Sequence, residues 1–282
     1  MISTVIVAFS MFSAIPMPQT EWTNKSMRYA LCAFPLIGAV IGALVCLWRF
    51  VCLRMEFSEW ILAAGICVLP VLVTGGIHLD GFCDTADALA SHQDTEKKLQ
   101  ILKDPHMGAF AAIWLGCYFI AQLALAVTAA QMQADLMALA FGYCISRSLS
   151  GLAVASFPLA KNSGLAYTFA EYADKKKVRT FLTVLAAVLC VLCCICCGKK
   201  GIGVSIAAIG TFLYYRFRLI GKFGGLSGDL AGWFVQMCEL FMLAAVVLIC
   251  GLLWIRADVS GAGNTEMQSI CSAAKNIADT IL

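Results

Sequence analysis

Long apolar stretches separated by short polar joints run through most of the chain. Seven of them lie at roughly 28–53, 58–77, 107–131, 134–156, 178–197, 201–220 and 230–255. Each is close to the ~20 residues that an α-helix needs to cross a hydrocarbon core. Joints such as Gln131–Asp135 and Gly198–Gly201 divide them. The pattern predicts an all-α, polytopic membrane bundle of about seven spans. A further apolar run, Met1–Ile15, ends at Pro16-Met17-Pro18 and is short for a span. It predicts a re-entrant or interfacial segment. No Lys or Arg precedes Lys25 and no small-residue cleavage site follows, so the run lacks the marks of a secretory signal. Residues 1–256 read as a single catalytic membrane domain, and 257–282 as a polar tail with the makings of a short amphipathic helix.

Composition supports the membrane reading. The chain is 61% hydrophobic and 13% charged, about half the charged share of a soluble domain. Polar residues are too few to cover a globule, so lipid must cover much of the surface. A net charge of +3 is too small to argue for a nucleic-acid partner, and three His exclude a His-rich metal site. Most of the fifteen Cys sit inside apolar runs, the densest group being Cys190, Cys193, Cys194, Cys196 and Cys197. Cys in such places behaves as a small hydrophobe. No second Cys pair answers the Cys-x-x-Cys spacing here, and no disulfide framework is implied.

If all seven runs span, the N-terminal segment and the loops near 78–106, 157–179 and 216–229 share one face. That face carries thirteen Lys and Arg, against six on the other, with Arg147 inside a span. The excess places the first face in the cytoplasm. Every long polar loop then falls on the same side.

Those loops hold the candidate chemistry. In Thr74–Asp87, Asp80, Asp84 and Asp87 are spaced i, i+4, i+7, an arc of about 60° on a helix. Three like charges on one face repel one another. A divalent cation is the usual remedy, and Mg²⁺ is commonly held by one or two carboxylates plus substrate phosphates. The residues between them are apolar or small (Gly81, Phe82, Cys83, Ala86), so this is not a generally charged surface. Lys103-Asp104-Pro105-His106 opens the next run: Lys103 suits a phosphate, Asp104 the acidic site, and His106 reads equally as a proton carrier or a loop residue. Arg147 sits within a span, where a charge pairs with an acid or with substrate. Gly224–Asp229 is a Gly-rich turn whose amides at Gly225, Ser227 and Gly228 could form an anion nest, with Asp229 available to a metal. Glu239 is a further ionisable group in the last run. Carboxylates, cations and Gly turns on one face suit phosphoryl transfer.

The chain resembles the cobalamin synthase family, adenosylcobinamide-GDP ribazoletransferase, over nearly its whole length. Phe34–Gly38, the signature Thr74–Asp87, Leu102–Asp104 with Met107-Gly108, Ser146-Arg147, Gly164-Leu165 and Gly224–Asp229 carry the resemblance. Pro105-His106, Gln236 and Ser227 depart from the usual pattern. The resemblance implies that α-ribazole, or its 5′-phosphate, attacks the cobinamide-linked phosphorus of adenosylcobinamide-GDP and that GMP leaves. Asp80, Asp84 and Asp87 would hold Mg²⁺ on the diphosphate, and one of them or Asp104 would take the proton. Arg147, Lys103 or Lys161 would steady phosphate charge, with His78 of the signature also on the substrate side. The implied partners are small corrinoid and nucleoside substrates and the bilayer, with a homo-oligomer or other corrinoid-assembly enzymes as further candidates. Two rivals remain at this stage. A phospholipid-headgroup transferase also spaces Asp at a helix end, but Asp84 and Asp87 stand i, i+3 instead of i, i+4. A cation-coupled transporter should show a repeat, and none is evident.

Overall fold

The computed structural model describes residues 2–161 and 163–259. The apolar runs form helices. They are α1 (Ile2–Phe12), α2 (Asn24–Met27), α3 (Ala30–Arg54), α4 (Glu59–Thr74), α5 (Ile77–Ala90), α6 (Thr95–Ile101), α7 (Ala109–Gln131), α8 (Met137–Ser156), α9 (Leu165–Tyr172), α10 (Lys175–Cys197), α11 (Lys199–Tyr214) and α12 (Gly228–Val259). A π-helical turn, Tyr215–Leu219, and a 3₁₀ turn, Ile220–Phe223, continue from α11. Among the described residues no strand forms; the sole β-type contact is a bridge between Leu159 and Leu226. Most of the expected polar tail, 260–282, lies outside the described residues.

Five helices among the described residues, α3, α7, α8, α10 and α12, are long and apolar enough to cross a membrane. The pair α4–α5 makes a sixth if taken as one span. Seven spans are therefore not established. The run at 58–77 stops at Thr74, where the chain bends by 97° into α5. Gly75 and Gly76 make that corner at φ +64° and +81°, a region that glycine enters without the Cβ clash other residues meet. The run at 201–220 yields a 16-residue α11 before the helix winds into its π and 3₁₀ turns. The N-terminal run forms only the 11-residue α1, too short to cross. It packs on α3, with Val7, Ala8 and Phe9 buried and the Ala14 amide donating to the Val73 carbonyl at 2.8 Å.

The centre of the bundle is α8, which packs against α3, α10, α11 and α12. Its length is rich in small residues, and close backbone approach is how membrane helices gain dispersion contacts where lipid is as apolar as Leu. Gly38 of α3 shows the consequence, since a Cβ there would overlap the backbone of Tyr143 and Cys144 in α8. On the outside, Phe181, Val184, Val188, Val191 and Ile195 of α10 are exposed, an apolar face that lipid has to cover.

Candidate active site

The loop residues are brought together by two local devices. Leu226 donates its amide to the Pro158 carbonyl at 2.8 Å, and the Ala160 amide donates to the Leu226 carbonyl at 2.9 Å. This short parallel bridge ties the α8–α9 loop to the turn before α12. Gly225 is the residue that permits it, because a Cβ would overlap the backbone of Leu159 and Ala160. The second device is the helix end itself. The Ser227 hydroxyl accepts from the Leu230 amide at 3.3 Å, capping α12, and donates to Asp229 Oδ2 at 3.2 Å. The partly positive end of α12 thus opens beside Asp229.

Around this end lies a cavity of about 370 Å³. Its polar wall combines Asp80 and His78 of α5, Lys103, Lys161, and Ser227–Asp229. Its apolar wall combines Phe12 of α1, Leu31 and Phe34 of α3, Val154 of α8, and Leu165, Ala166 and Phe169 of α9. All three loops assigned to one face by their charge contribute to it. A second, open cleft of about 390 Å³ lies along Gly75, Gly76, Leu79, Cys83 and Leu115. Ile77 and Asp80 line both.

Asp84 is partly buried, and Asp80, Asp229 and Asp87 all act on it electrostatically. Close packing of α5 on α12 brings them together. A Cβ on Gly81 would stand 2.7 Å from the Asp229 carbonyl oxygen, and one on Gly232 would stand 2.8 Å from that of His78. Among the described residues, no three His, Cys, Asp or Glu side chains close around one point as ligands of a bound ion do. Asp87 is also engaged elsewhere. Its Oδ1 accepts from the Ala111 amide at 3.3 Å, and Gly108 leaves room for its carboxylate at the start of α7. Asp87 therefore serves as a borrowed cap for α7, a role the spacing did not reveal.

Four other expectations are corrected. Arg147 does not reach the cavity; it is wholly buried and paired with Glu239 of α12. The Ser146 hydroxyl accepts from Arg147 Nη1 at 3.0 Å and donates to Glu239 at 3.2 Å. A guanidinium at membrane depth needs such a counter-charge, and α12 supplies it. Asp104 and His106 also stand away from the cavity. Pro105 makes the turn between them, and the Asp104 carboxylate accepts from the His106 amide at 3.0 Å and lies 2.8 Å from its ring Nδ1. Those bonds, the backbone one first, hold the Asp104 carboxyl below its ordinary range, which weakens it as a proton acceptor. Gly225, as described, permits the loop bridge and is not among the residues that line the cavity.

Conversely, the apolar wall was missed. Phe12 and the Leu165–Phe169 helix give no sequence signal beyond ordinary amphipathic packing. His78 is buried beside the Phe34 ring, centroids 5.5 Å apart, and its Nδ1 has no hydrogen-bond partner.

An all-α bundle with lipid-facing helices, gathering carboxylates, lysines and a helix N-terminus around one cavity, defines an integral membrane protein equipped for chemistry at a phosphate. The family model described as cobalamin-5-phosphate synthase matches residues 4–247. The chain belongs to that family. It is 39% identical over 252 residues to the adenosylcobinamide-GDP ribazoletransferase of Lachnoclostridium phytofermentans, covering 89% of this chain and 96% of that one. It is 32% identical over 236 residues to the enzyme of the same name from Clostridium perfringens strain 13, covering 83% and 92%. A Geobacillus enzyme of that name is 26% identical over 251 residues, covering 88% and 96%. No solved structure matches the chain.

Proposed function

We propose that this protein is an adenosylcobinamide-GDP ribazoletransferase of the bacterial plasma membrane, with its site on the cytoplasmic face. A free ribose hydroxyl of α-ribazole, or of its 5′-phosphate, forms a bond to the cobinamide-linked phosphorus. The bond from that phosphorus to GMP breaks, and the hydroxyl proton passes to an acceptor. The observation that carries this reading is the cavity in which Asp80 and Asp229 face Lys103 and Lys161 beside the start of α12. Such a site positions anionic reactants and balances their charge, which is most of what phosphoryl transfer asks of a protein.

A Mg²⁺ ion fits the donor set. Asp80, Asp84 and Asp229 offer only hard oxygen ligands, and one or two of them suffice where substrate phosphates complete the shell. Asp87, committed in part to α7, is the least free of the four. When bound, the ion would neutralise charge on the diphosphate oxygens. The chain's own contribution is to hold the reactants. Lys103 and Lys161 attract phosphate as point charges, the amides at Gly228 and Asp229 present an anion-attracting helix end, and the apolar wall excludes water. Asp104 lies outside this arrangement.

The test is GMP release by purified protein in liposomes supplied with adenosylcobinamide-GDP, α-ribazole 5′-phosphate and Mg²⁺. Metal-dependent release together with a cobalamin product supports the assignment; folded protein that releases none removes it. A pH prediction follows from Lys161. Burial pushes its ammonium below the ordinary lysine value, and Lys103 adds to this while Asp229 opposes it. Its positive charge is therefore lost at lower pH than that of a free lysine, and activity should decline on the alkaline side. In Lys161→Arg, whose charge persists above pH ~12, the alkaline limb of kcat/KM should move to higher pH. An unmoved limb would mean that another group sets it.

A further inference from the structure

We infer that the cavity beside the start of α12 is the seat of the acceptor nucleoside, its flat base held against phenylalanine rings and its polar edge read by His78. This rests on the transferase reading above. Size is the first argument. The cavity, about 370 Å³, lies at the small end of the roughly 300–1,000 Å³ found for pockets that enclose drug-sized ligands. A corrin ring bearing its nucleotide is far larger than that, so the bulk of the corrinoid has to stay outside.

Wall chemistry is the second. Phe12 stands between Phe34 and Phe169, with ring centroids 4.6 and 5.1 Å away, and His78 adjoins Phe34 at 5.5 Å. A planar ring placed here gains apolar burial and offset aromatic contact. The imidazole brings a polar group next to Phe34, with Nδ1 buried and unpartnered. A nucleoside supplies the missing partner through a ring nitrogen or a hydroxyl.

The competing occupant is the guanine of the other substrate. Guanine carries several donors and acceptors on its edge, and burying them without partners is costly. The benzimidazole ring of α-ribazole has a single free ring nitrogen and suits this wall better. The same cavity is also lined by Asp80, Asp229, Lys103 and Lys161. A base seated on the phenylalanines therefore leaves its ribose, with the free hydroxyl that reacts, in the space that these charged groups border.

Steady-state kinetics of the full chain in liposomes test this with two variants, His78→Gln and Ala166→Phe. The second fills the cavity from α9 and covers the case in which the first fails to fold. Each should raise KM for α-ribazole by about tenfold or more, the expected effect of losing one buried hydrogen bond or the ring's seat. KM for adenosylcobinamide-GDP should stay within about twofold of the parent. A rise in the corrinoid KM alone, or no change in either, overturns the inference while leaving the transferase reading intact. If the parent protein shows no turnover, that reading fails, and equilibrium dialysis with radiolabelled α-ribazole decides the cavity separately. Binding that Ala166→Phe weakens about tenfold upholds it; equal binding, or none to the parent, overturns it.

Discussion

Asp80→Asn is expected to lower the rate of GMP release by at least about a hundredfold without unfolding the protein. Removing one preorganised charge partner from a phosphoryl or acyl transfer site typically costs 10²–10³ in rate. Asp80 lies on the wall of the cavity and is exposed, so the amide meets no packing obstacle. Asp84→Asn should act in the same direction, because Asp84 feels Asp80 and Asp229 together. Stability should respond in the opposite sense. Each substitution removes a like charge from a repelling group, so melting of the metal-free variant should match or exceed that of the parent. Added Mg²⁺ should raise the parent's melting temperature, as any ligand of the folded state does, and raise the variant's less. Asp87→Ala should differ. It removes the cap on α7, a loss of about 0.5–2 kcal/mol, so its melting temperature should fall. If Asp80→Asn turns over at the parental rate, the acidic group has no part in the reaction.

The largest effect on stability should come from the Arg147–Glu239 pair. Arg147→Met leaves Glu239 as a buried charge without its counter-ion, and Glu239→Gln does the reverse. Breaking such a pair costs about 3–5 kcal/mol. Either single change should therefore lower the resistance of purified protein to thermal or SDS unfolding by a wide margin. The double change Arg147→Met with Glu239→Leu should recover much of the loss, since no charge is left stranded. Singles as stable as the parent would show that the pair does not hold α8 to α12. The pair lies off the cavity wall, so in protein that remains folded KM for both substrates should be near the parental values.

The residues show why some of this was legible in the chain and some was not. Every long apolar run became helix, because membrane depth leaves backbone groups no other partner. Hydropathy carries no information about direction, so the 97° corner at Gly75-Gly76 and the early end of α11 were hidden, and with them the number of crossings. The acidic face of α5 could be read because i, i+4, i+7 spacing is a property of one helix. What each carboxylate meets is a property of its neighbours, and so Asp87 capping α7 was invisible. Arg147 shows the same limit: its cost in lipid could be read, whereas the choice of Glu239 over a phosphate required the packing of α8 on α12. The aromatic wall drew on three separate segments, α1, α3 and α9, whose rings meet only in the fold.

The bridge between the loops at 158–160 and 225–226 has an evolutionary consequence. Two strands of backbone in such contact cannot drift apart independently, since a side chain at position 225 would push Leu159 and Ala160 away and carry Lys161 with them. Substitutions across family members at these two places should be correlated, and a relative that has lost the glycine should have altered the 158–161 loop as well.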